Sequence, residues 1–207
     1  MDCEKHKLLA LTFDDGPSVG TMCTILEILD RYNARATFFV VGDKITVETA
    51  PILRAAALGG HEIGNHSHSH EHMPQQDRDT MLSEVESVQK LVQEAAGIRP
   101  VLFRPPYLDV SPDMLRHIDM PMIGGVGNQD WEPDVCAEER FRRAASQLED
   151  GAILLMHCYE GNEATVQALQ MLLPVLQQRG YQAVTVSRLF SEKGITLSKG
   201  VLYHSAG

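Results

Sequence analysis

Four histidines occur at every second position in the stretch GNHSHSHEHM, which covers residues 64–73. They are His66, His68, His70 and His72. In a strand all four side chains would point to one face, whereas a helical turn would pair His66 with His70 or His68 with His72. A short histidine-rich tract can hold a metal ion, or it can be an exposed loop with only loose metal affinity. Residues elsewhere in the chain must decide between these two interpretations.

Other polar residues suited to chemistry lie at the ends of predicted strands. They are Asp14 and Asp15 in TFDDGP, Arg104 and Tyr107 in FRPPY, Asp130 and Trp131 in QDW, and His157 at the end of AILLMH. One carboxylate and two imidazoles can bind a divalent cation and leave one coordination position for water. A carboxylate base near that water and a histidine acid across a cleft are the groups that metal-assisted acyl hydrolysis requires.

The adjacent aspartates Asp14 and Asp15 cannot easily both bind one ion, because consecutive side chains point apart. We therefore expect one ligand and one base, although the residues alone do not decide which aspartate has which role. They also do not choose between the two histidine pairs. The DDGP sequence is typical of a turn as well, since Asp, Gly and Pro all favour turns, and that alternative stays open.

The elements that would position these residues alternate between short apolar runs and longer amphipathic ones. The apolar runs are continuous, as in strands buried on both faces, and cover residues 8–13, 36–41, 61–65, 101–104, 120–126, 152–157 and 182–186. Helices are predicted over residues 21–33, 47–58, 77–96, 111–118, 137–149 and 163–179. In the last of these, Pro174 predicts a kink or an early end.

This alternation predicts an α/β fold with a parallel sheet and right-handed crossovers. About seven such units favour a single domain over residues 1–207, folded as a distorted (β/α) TIM-like barrel with about seven parallel strands. An open flavodoxin-like sheet is the alternative, but no Gly-rich phosphate-binding sequence follows the first strand. In a parallel barrel the carboxyl ends of all strands open onto one face, so the polar segments would converge on one cleft. That convergence favours a specific metal site.

Charge and hydropathy exclude some classes of partner. The net charge is −10, and because no extended basic patch is present we expect no nucleic-acid partner. We interpret Arg140, Arg142 and Arg143 as the solvated face of a helix. No apolar run approaches the roughly 20 residues that span a bilayer, so no membrane insertion is expected. The sequence as given has no hydrophobic leader, so we expect a cytoplasmic protein. If a leader had been removed, we would expect a secreted protein or one of the cell envelope. A monomer is expected.

The four cysteines, Cys3, Cys23, Cys136 and Cys158, are widely spaced and form no CxxC pair. This spacing indicates neither a zinc finger nor a dense disulfide framework, so we expect buried, reduced thiols. Cys158 follows His157 directly, but a catalytic thiol is not favoured.

Several motifs occur in the order and rough spacing of the polysaccharide deacetylase (NodB-homology) family, which is carbohydrate esterase family four. They are TFDDGP, HSHSH read as H-S-x-x-H, RPPY, DW and LMH. Each motif alone would be a weak signal, but their order over roughly residues 7–192 makes the resemblance a strong one. The resemblance implies a distorted (β/α) barrel and a divalent metal, usually Zn²⁺, with Co²⁺, Mn²⁺ or Ni²⁺ as alternatives.

The resemblance also implies which residues bind the metal and which act as base. Asp15, His66 and His70 would be the metal ligands, so the first of the two histidine pairs would bind. Asp14 would be the general base for the attacking water, and Arg104 would orient it.

The remaining site residues would act on the leaving group and the acetyl group. By the same resemblance, Asp130 would hydrogen-bond His157 and tune it as the general acid. The backbone N–H of Tyr107 would help to hold the oxyanion. Trp131 and Leu155 would line the pocket for the acetyl methyl group.

This chain departs from the family pattern at two positions. The family often has Gly after its R-P-P-Y, where this chain has Leu108. Members also commonly have an Asp three residues before the Asp of the D-W pair, where this chain has Gly127. Neither departure removes a proposed catalytic group, but both alter the wall of the cleft.

The expected function is therefore metal-dependent removal of acetyl groups from N-acetylated amino sugar polymers or oligomers, of the chitin-oligosaccharide or peptidoglycan type. One alternative is an O-acetyl esterase acting on acetylated xylan. A metal-independent amide or imide hydrolase is disfavoured because Asp15 and the H-S-x-x-H motif are present. A noncatalytic sugar-binding relative would be expected to lack the base or the acid, and this sequence has both Asp14 and His157.

Overall fold

A computed structural model describes residues 7–207 of the protein. The strands are β1 (Lys7–Gly16), β2 (Ala36–Val40), β3 (Glu62–Asn65), β4 (Met122–Ile123), β5 (Val126–Gly127), β6 (Ile153–His157), β7 (Tyr181–Val184) and β8 (Leu202–Tyr203). The helices are α1 (Thr21–Arg31), α2 (Ala50–Leu58), α3 (Arg78–Ala96), α4 (Pro112–His117), α5 (Ala137–Ser146), α6 (Glu163–Gln178) and α7 (Val186–Glu192). Short 3-10 turns cover Gly42–Lys44, Met73–Gln75 and Pro106–Leu108.

The strands form a distorted parallel barrel, as the sequence predicts. The main sheet has the order β3-β2-β1-β6-β5, and β7 pairs with the first half of β1. Single bridges from Asn65 to Phe103 and from Phe103 to Met122 connect β3 to β4. Because β4 and β5 are separated only by Gly124 and Gly125, this segment closes the ring between Phe103 and β6.

In β1, side chains alternate between the apolar core and the barrel interior, which explains how a buried strand carries polar groups. Leu9, Leu11 and Phe13 belong to the large apolar cluster that also includes residues of α1 and α6. Successive side chains of a strand point to opposite faces, so Thr12 and Asp14 face the interior of the barrel. Both are buried there, and the cleft at the carboxyl ends of the strands opens beside them.

Three of the predicted strands, over residues 101–104, 120–126 and 182–186, differ from the structure. Residues 101–104 contribute only the bridged Phe103, and residues 120–126 divide into β4 and β5 at two glycines. α7 begins at Val186, where a continuing strand was predicted, and Thr185 caps it by accepting from the N–H of Arg188. Such a capping side chain satisfies one of the free amides at a helix start.

The early end predicted at Pro174 and the solvated face predicted for Arg140 are wrong. Pro174 does not end α6, which continues to Gln178 although proline lacks the N–H that would bond to the preceding turn. Arg140 is not on a solvated face, since its side chain is only 3% exposed. Its guanidinium is buried between α5 and the loop before it, where several oxygen atoms accept its hydrogen bonds.

Among residues 7–207, no helix combines the length and the apolar character that crossing a membrane requires.

Candidate functional site

A cavity of about 410 Å³ opens at the carboxyl ends of the strands. Its lining includes most of the residues that the sequence predicts for the site, namely Asp14, Asp15, His66, His70, Tyr107, Trp131, Leu155 and His157. The other two, Arg104 and Asp130, are fully buried and contact lining residues from behind. The five separate segments therefore converge on one cleft.

Asp15, His66 and His70 form a cluster that can hold a metal ion. Asp15 Oδ1 lies 3.6 Å from Nε2 of His66 and 3.2 Å from Nε2 of His70. With metal–ligand bonds of about 2.0–2.1 Å, the ligand atoms of a tetrahedral site are roughly 3.3–3.4 Å apart. Asp15 Oδ1 is buried and has no hydrogen-bond partner among the described residues. A cation would supply the missing partner of this oxygen, so these residues fit a divalent metal.

The tautomer of His66 is the one that metal binding through Nε2 requires. Nδ1 of His66 lies 2.7 Å from the carbonyl oxygen of Arg104. A carbonyl oxygen only accepts, so Nδ1 must carry the proton, and Nε2 presents its lone pair toward Asp15. An outer hydrogen bond of this kind fixes the orientation of a metal-binding imidazole.

Polar side chains that the sequence analysis did not single out shape the loop between the two histidines. Asn65 Oδ1 accepts from the N–H of Ser67, and Ser67 Oγ accepts from the N–H of His70. From α3, Glu84 Oε2 accepts the N–H groups of His68 and Ser69 at 2.9 and 2.8 Å. Because the carboxylate of Glu84 accepts both backbone N–H groups, it holds the loop between His66 and His70 in place.

A bulge in β1 allows both neighbouring aspartates to reach the cleft. The pairing of β1 with β2 shifts register between Asp14 and Gly16, and Asp15 has a φ of 65°. Without this irregularity, Asp15 would point away from the barrel interior that Asp14 faces. The left-handed conformation of Asp15 redirects its carboxylate toward His66 and His70.

Asp14 is held by Arg104 rather than by the histidine cluster. Arg104 Nη1 donates to Oδ1 of Asp14 at 2.7 Å and to Oγ1 of Thr12 at 2.8 Å. Burial alone would raise the pKa of Asp14, but the charges of Arg104, His66 and His157 together lower it. Asp14 is therefore an anion at neutral pH, with Oδ2 directed to the cleft 3.8 Å from Nε2 of His66.

His157 forms the other polar wall with Asp130. Its Nδ1 lies 2.8 Å from Oδ1 of Asp130, and its backbone N–H donates to Oδ2 at 2.7 Å. Burial alone would lower the pKa of His157, but the hydrogen bond to Asp130 and the negative charges of Asp130, Asp14 and Asp15 raise it to about 9. A dication near Asp15 would offset part of this rise. The arrangement favours an imidazolium that can donate from Nε2.

The other two histidines of the tract contact different carboxylates. His68 Nε2 lies 3.1 Å from Asp43, and His72 Nδ1 lies 3.4 Å from Asp109. His72 also stacks on Tyr107 with the ring centroids 4.1 Å apart. Neither histidine belongs to the cluster around Asp15.

Leu108 has the backbone conformation that favours glycine. Tyr107 and Leu108 have φ values of 59° and 54°. Side chains rarely adopt this region because Cβ approaches the following carbonyl oxygen. The backbone at this position therefore suits the glycine that family members often have, and this chain adopts it with a leucine that lines the cavity.

Trp131 occupies the space next to Gly127. Its indole is 47% exposed and meets the ring of His157 edge to face at 5.6 Å. A Cβ added at Gly127 would lie 3.0 Å from Cζ3 of Trp131. The aspartate that the family resemblance leads us to expect at this position would require the indole to move. Leu155 is buried on the same side of the cavity.

Cys158 does not supply a nucleophile. Burial and the neighbouring carboxylates raise the pKa of its thiol well above the usual value, so it stays protonated and unreactive at neutral pH. Cys23, Cys136 and Cys158 are free thiols, but only Cys158 is buried as expected, since Cys23 is half-buried and Cys136 is exposed. Cys3 lies outside the described residues.

Comparison with known proteins gives several matches. A family model described as polysaccharide deacetylase matches residues 2–120. The bifunctional xylanase/deacetylase of Pseudobutyrivibrio xylanivorans is 38% identical over 192 residues, which cover 93% of this chain and 32% of that protein. A peptidoglycan-N-acetylglucosamine deacetylase of Listeria monocytogenes is 33% identical over 189 residues, covering 91% of this chain and 40% of that protein. The chain thus spans less than half the length of these relatives.

A solved structure is similar over almost the whole chain. It is a family 4 acetyl xylan esterase from Clostridium thermocellum in complex with a cobalt ion, with a TM-score of 0.93 and 38% sequence identity. The match covers 96% of this chain and 98% of that one. Since the family model covers more than half of the sequence, the chain belongs to the polysaccharide deacetylase family, carbohydrate esterase family four.

Proposed function

We propose that the protein is a metal-dependent deacetylase that removes acetyl groups from N-acetylated amino sugar oligomers or polymers, of the chitin-oligosaccharide or peptidoglycan type. One observation carries this proposal. The anionic Asp14 and the Asp130-bound His157 lie on adjacent strands in one cavity, next to three residues that fit a metal ion. A base, an acid and an electrophile at one point are the requirements of acyl hydrolysis.

Asp15, His66 and His70 would hold the metal ion. Two imidazoles and one carboxylate suit Zn²⁺, and Co²⁺, Mn²⁺ or Ni²⁺ can use the same ligands. The cobalt ion in the similar esterase structure supports a divalent metal at such a site. When bound, the ion supplies Lewis-acid chemistry, which polarises the acyl oxygen and makes water more acidic.

The protein's own groups would carry the protons. Asp14 accepts the proton of the attacking water, and Arg104 keeps that carboxylate ionised and oriented. His157 donates a proton from Nε2 to the departing sugar nitrogen, because its Nδ1 is engaged by Asp130. The backbone N–H of Tyr107 would stabilise the negative charge that develops on the acyl oxygen.

The acetyl methyl group would lie against apolar side chains of the cleft. Trp131 and Leu155 line the cavity, and the ring of Trp131 contacts that of His157. Such apolar side chains can bury a methyl group.

The second candidate is hydrolysis of O-acetyl esters on xylan. The names of two relatives favour it, since one is a bifunctional xylanase/deacetylase and the other an acetyl xylan esterase. The same base and acid would serve an ester, whose alkoxide leaves more readily than an amine. A noncatalytic sugar-binding protein is not favoured, because Asp14 and His157 are both present in the cleft.

Acetate release tests the proposal directly. The protein would be incubated with chitin oligomers, peptidoglycan fragments and acetylated xylan, with and without prior chelation and with Zn²⁺ or Co²⁺ added back. We expect release from the N-acetylated substrates, loss after chelation and recovery with metal. Release from xylan alone would support the second candidate. Release from every active substrate after complete metal removal would overturn the metal-dependent mechanism.

A further inference from the structure

We propose that Arg140 and Thr165 are positioning residues for the acid of this site, acting on His157 through Asp130. This inference rests on the proposed function. Arg140 Nη1 donates to Thr165 Oγ1 at 3.0 Å, and Thr165 Oγ1 donates to Oδ2 of Asp130 at 2.8 Å. On its other oxygen Asp130 accepts from Nδ1 of His157 at 2.8 Å. Four side chains therefore form a continuous line from α5 to the cleft.

The direction of each hydrogen bond in this line is fixed by chemistry. A guanidinium has donors and no acceptor, so Thr165 must accept from Arg140. The hydroxyl proton of Thr165 is then directed at Asp130, which as a carboxylate only accepts. Hydrogen bonds to an ionised group are stronger than neutral ones. Together with the backbone N–H of His157, Thr165 therefore fixes the rotation of the carboxylate that in turn orients the imidazole of His157.

The surroundings of Arg140 show why its charge matters there. Besides Thr165, its guanidinium donates to the carbonyl oxygens of Val135 and Glu132 and to Oδ1 of Asn162. All of these acceptors, within the range 7–207, are neutral. The positive charge is thus buried without a direct carboxylate partner, one hydroxyl away from Asp130. Along this line the carboxylate of Asp130 is reached only through the hydroxyl of Thr165.

Arg140 also connects this line of hydrogen-bonded side chains to the loop that forms the wall of the cleft. Its bonds to Glu132 and Val135 hold the loop that follows Trp131, and Asn162 Nδ2 donates to the carbonyl oxygen of His157 at 3.1 Å. The acid and the loop beside it are therefore fixed by the same guanidinium. Loss of the Thr165 hydroxyl would leave Oδ2 of Asp130 with the backbone N–H of His157 as its remaining donor, and would leave one Arg140 donor without its acceptor.

The test uses two substrates that differ in their need for an acid. An amine must be protonated as it leaves, whereas the 4-nitrophenolate of 4-nitrophenyl acetate leaves as a stable anion. Thr165→Val keeps the shape and removes the hydroxyl, and Thr165→Ser keeps the hydroxyl. Turnover of an N-acetylated chitin oligomer and of the aryl acetate would be measured for the metal-loaded protein and each variant. The ratio of the two turnovers does not depend on the folded fraction.

We expect Thr165→Val to lower kcat for the oligomer by about 10–100-fold, the size of effect that follows when a metal-binding histidine loses its outer hydrogen bond. The aryl acetate should lose much less, KM for the oligomer should change little, and Thr165→Ser should restore the ratio. Thr37→Val is the matched control, since Thr37 is a buried threonine whose hydroxyl bonds Glu62 outside the cleft. Its ratio should equal that of the wild type.

Each other outcome has a defined meaning. Equal losses on both substrates, or no loss on either, would overturn the positioning role while leaving the proposed function intact. A wild-type protein that releases acetate from neither substrate would overturn the proposed function itself. Should Thr165→Val fail to fold, Thr165→Ser and Thr165→Ala replace it, because both lack the methyl group and differ only in the hydroxyl.

Discussion

Arg104 Nη1 lies 2.7 Å from Asp14 Oδ1, and both side chains are buried inside the barrel. This ion pair engages one oxygen of Asp14, whereas Oδ1 of the adjacent Asp15 has no partner of its own among the described residues. The two neighbouring carboxylates therefore have different surroundings. Only Asp15 lies within ligand distance of both histidines of the cluster.

Substitution of each aspartate should separate the two roles. Asp14→Asn keeps the shape but cannot accept a proton, so the variant should bind metal normally and be almost inactive. Asp15→Asn replaces an anionic ligand with a neutral one, so the affinity for metal should fall and the stabilisation by metal with it. The measurement is metal per chain by elemental analysis, together with acetate release over a metal titration. Excess metal should partly rescue Asp15→Asn and not Asp14→Asn.

If Asp14→Asn loses its metal while Asp15→Asn retains it, the two assignments are exchanged. If both variants lose the metal, the division into one ligand and one base is wrong.

Removal of the acid should affect turnover and not metal binding. His157→Ala is expected to lower turnover of the N-acetylated substrate by about 10²–10⁴-fold, the usual contribution of a general acid. Metal content should stay at the wild-type level because His157 lies outside the cluster around Asp15. Elemental analysis and acetate release check this, and a variant that arrives without metal would show that His157 is a ligand.

The backbone at Leu108 predicts an unusual order of stabilities. A φ of 54° is costly for a leucine and worse for a β-branched residue. Leu108→Gly removes the strain but raises the chain entropy of the unfolded state, so its free energy of unfolding should stay within about 1 kcal/mol of the wild type. Leu108→Val should be the least stable of the three proteins. Urea unfolding measures the order, and a valine variant at least as stable as glycine would contradict it.

A buried histidine away from the cleft should make stability depend on pH. His61 Nδ1 accepts the N–H of Ala36 at 3.2 Å, and burial together with the charge of Arg35 lowers the pKa of His61 from 6.5 to about 4. Between these values the unfolded chain binds more protons, so stability should fall as the pH is lowered from 6.5 toward 4. The loss is at most about 3 kcal/mol.

His61→Asn keeps an acceptor near the position of Nδ1 and cannot be protonated in this range. Unfolding curves at a series of pH values should therefore show the difference between wild type and variant shrinking as the pH falls. Parallel curves for the two proteins would count against this role of His61.

The sequence predicts the barrel well because its strands are continuous apolar runs between amphipathic helices. The prediction is wrong where a single residue decides whether a strand continues or ends. Gly124 and Gly125 divide a predicted strand, and Thr185 begins a helix in place of a longer strand. Arg140 was assigned to a solvated face because helical charge patterns do not show which side of a helix a neighbouring loop covers.

The site was predicted from motifs, and the structure brings those residues together. The residues that hold them there were not found, because Glu84 and Thr165 are ordinary polar residues of helices in the sequence. Their partners lie 16 and 35 positions away, so no local spacing reveals them. Asp15 and His70 adopt left-handed conformations, which aspartate and histidine adopt more often than most residues but still too rarely for the sequence to indicate them.

Asp14 and His157 are partners in the register of β1 and β6, while Tyr107 and Leu108 lie in the short 3-10 turn of a loop outside the sheet. Loops accept substitutions and insertions more readily than paired strands do. Variation during evolution can therefore reshape the outer wall of the cleft and leave the separation of Asp14 and His157 unchanged. Laboratory selection for a new acetylated polymer should accordingly accumulate its changes in these loops, with the two strands conserved among the selected variants.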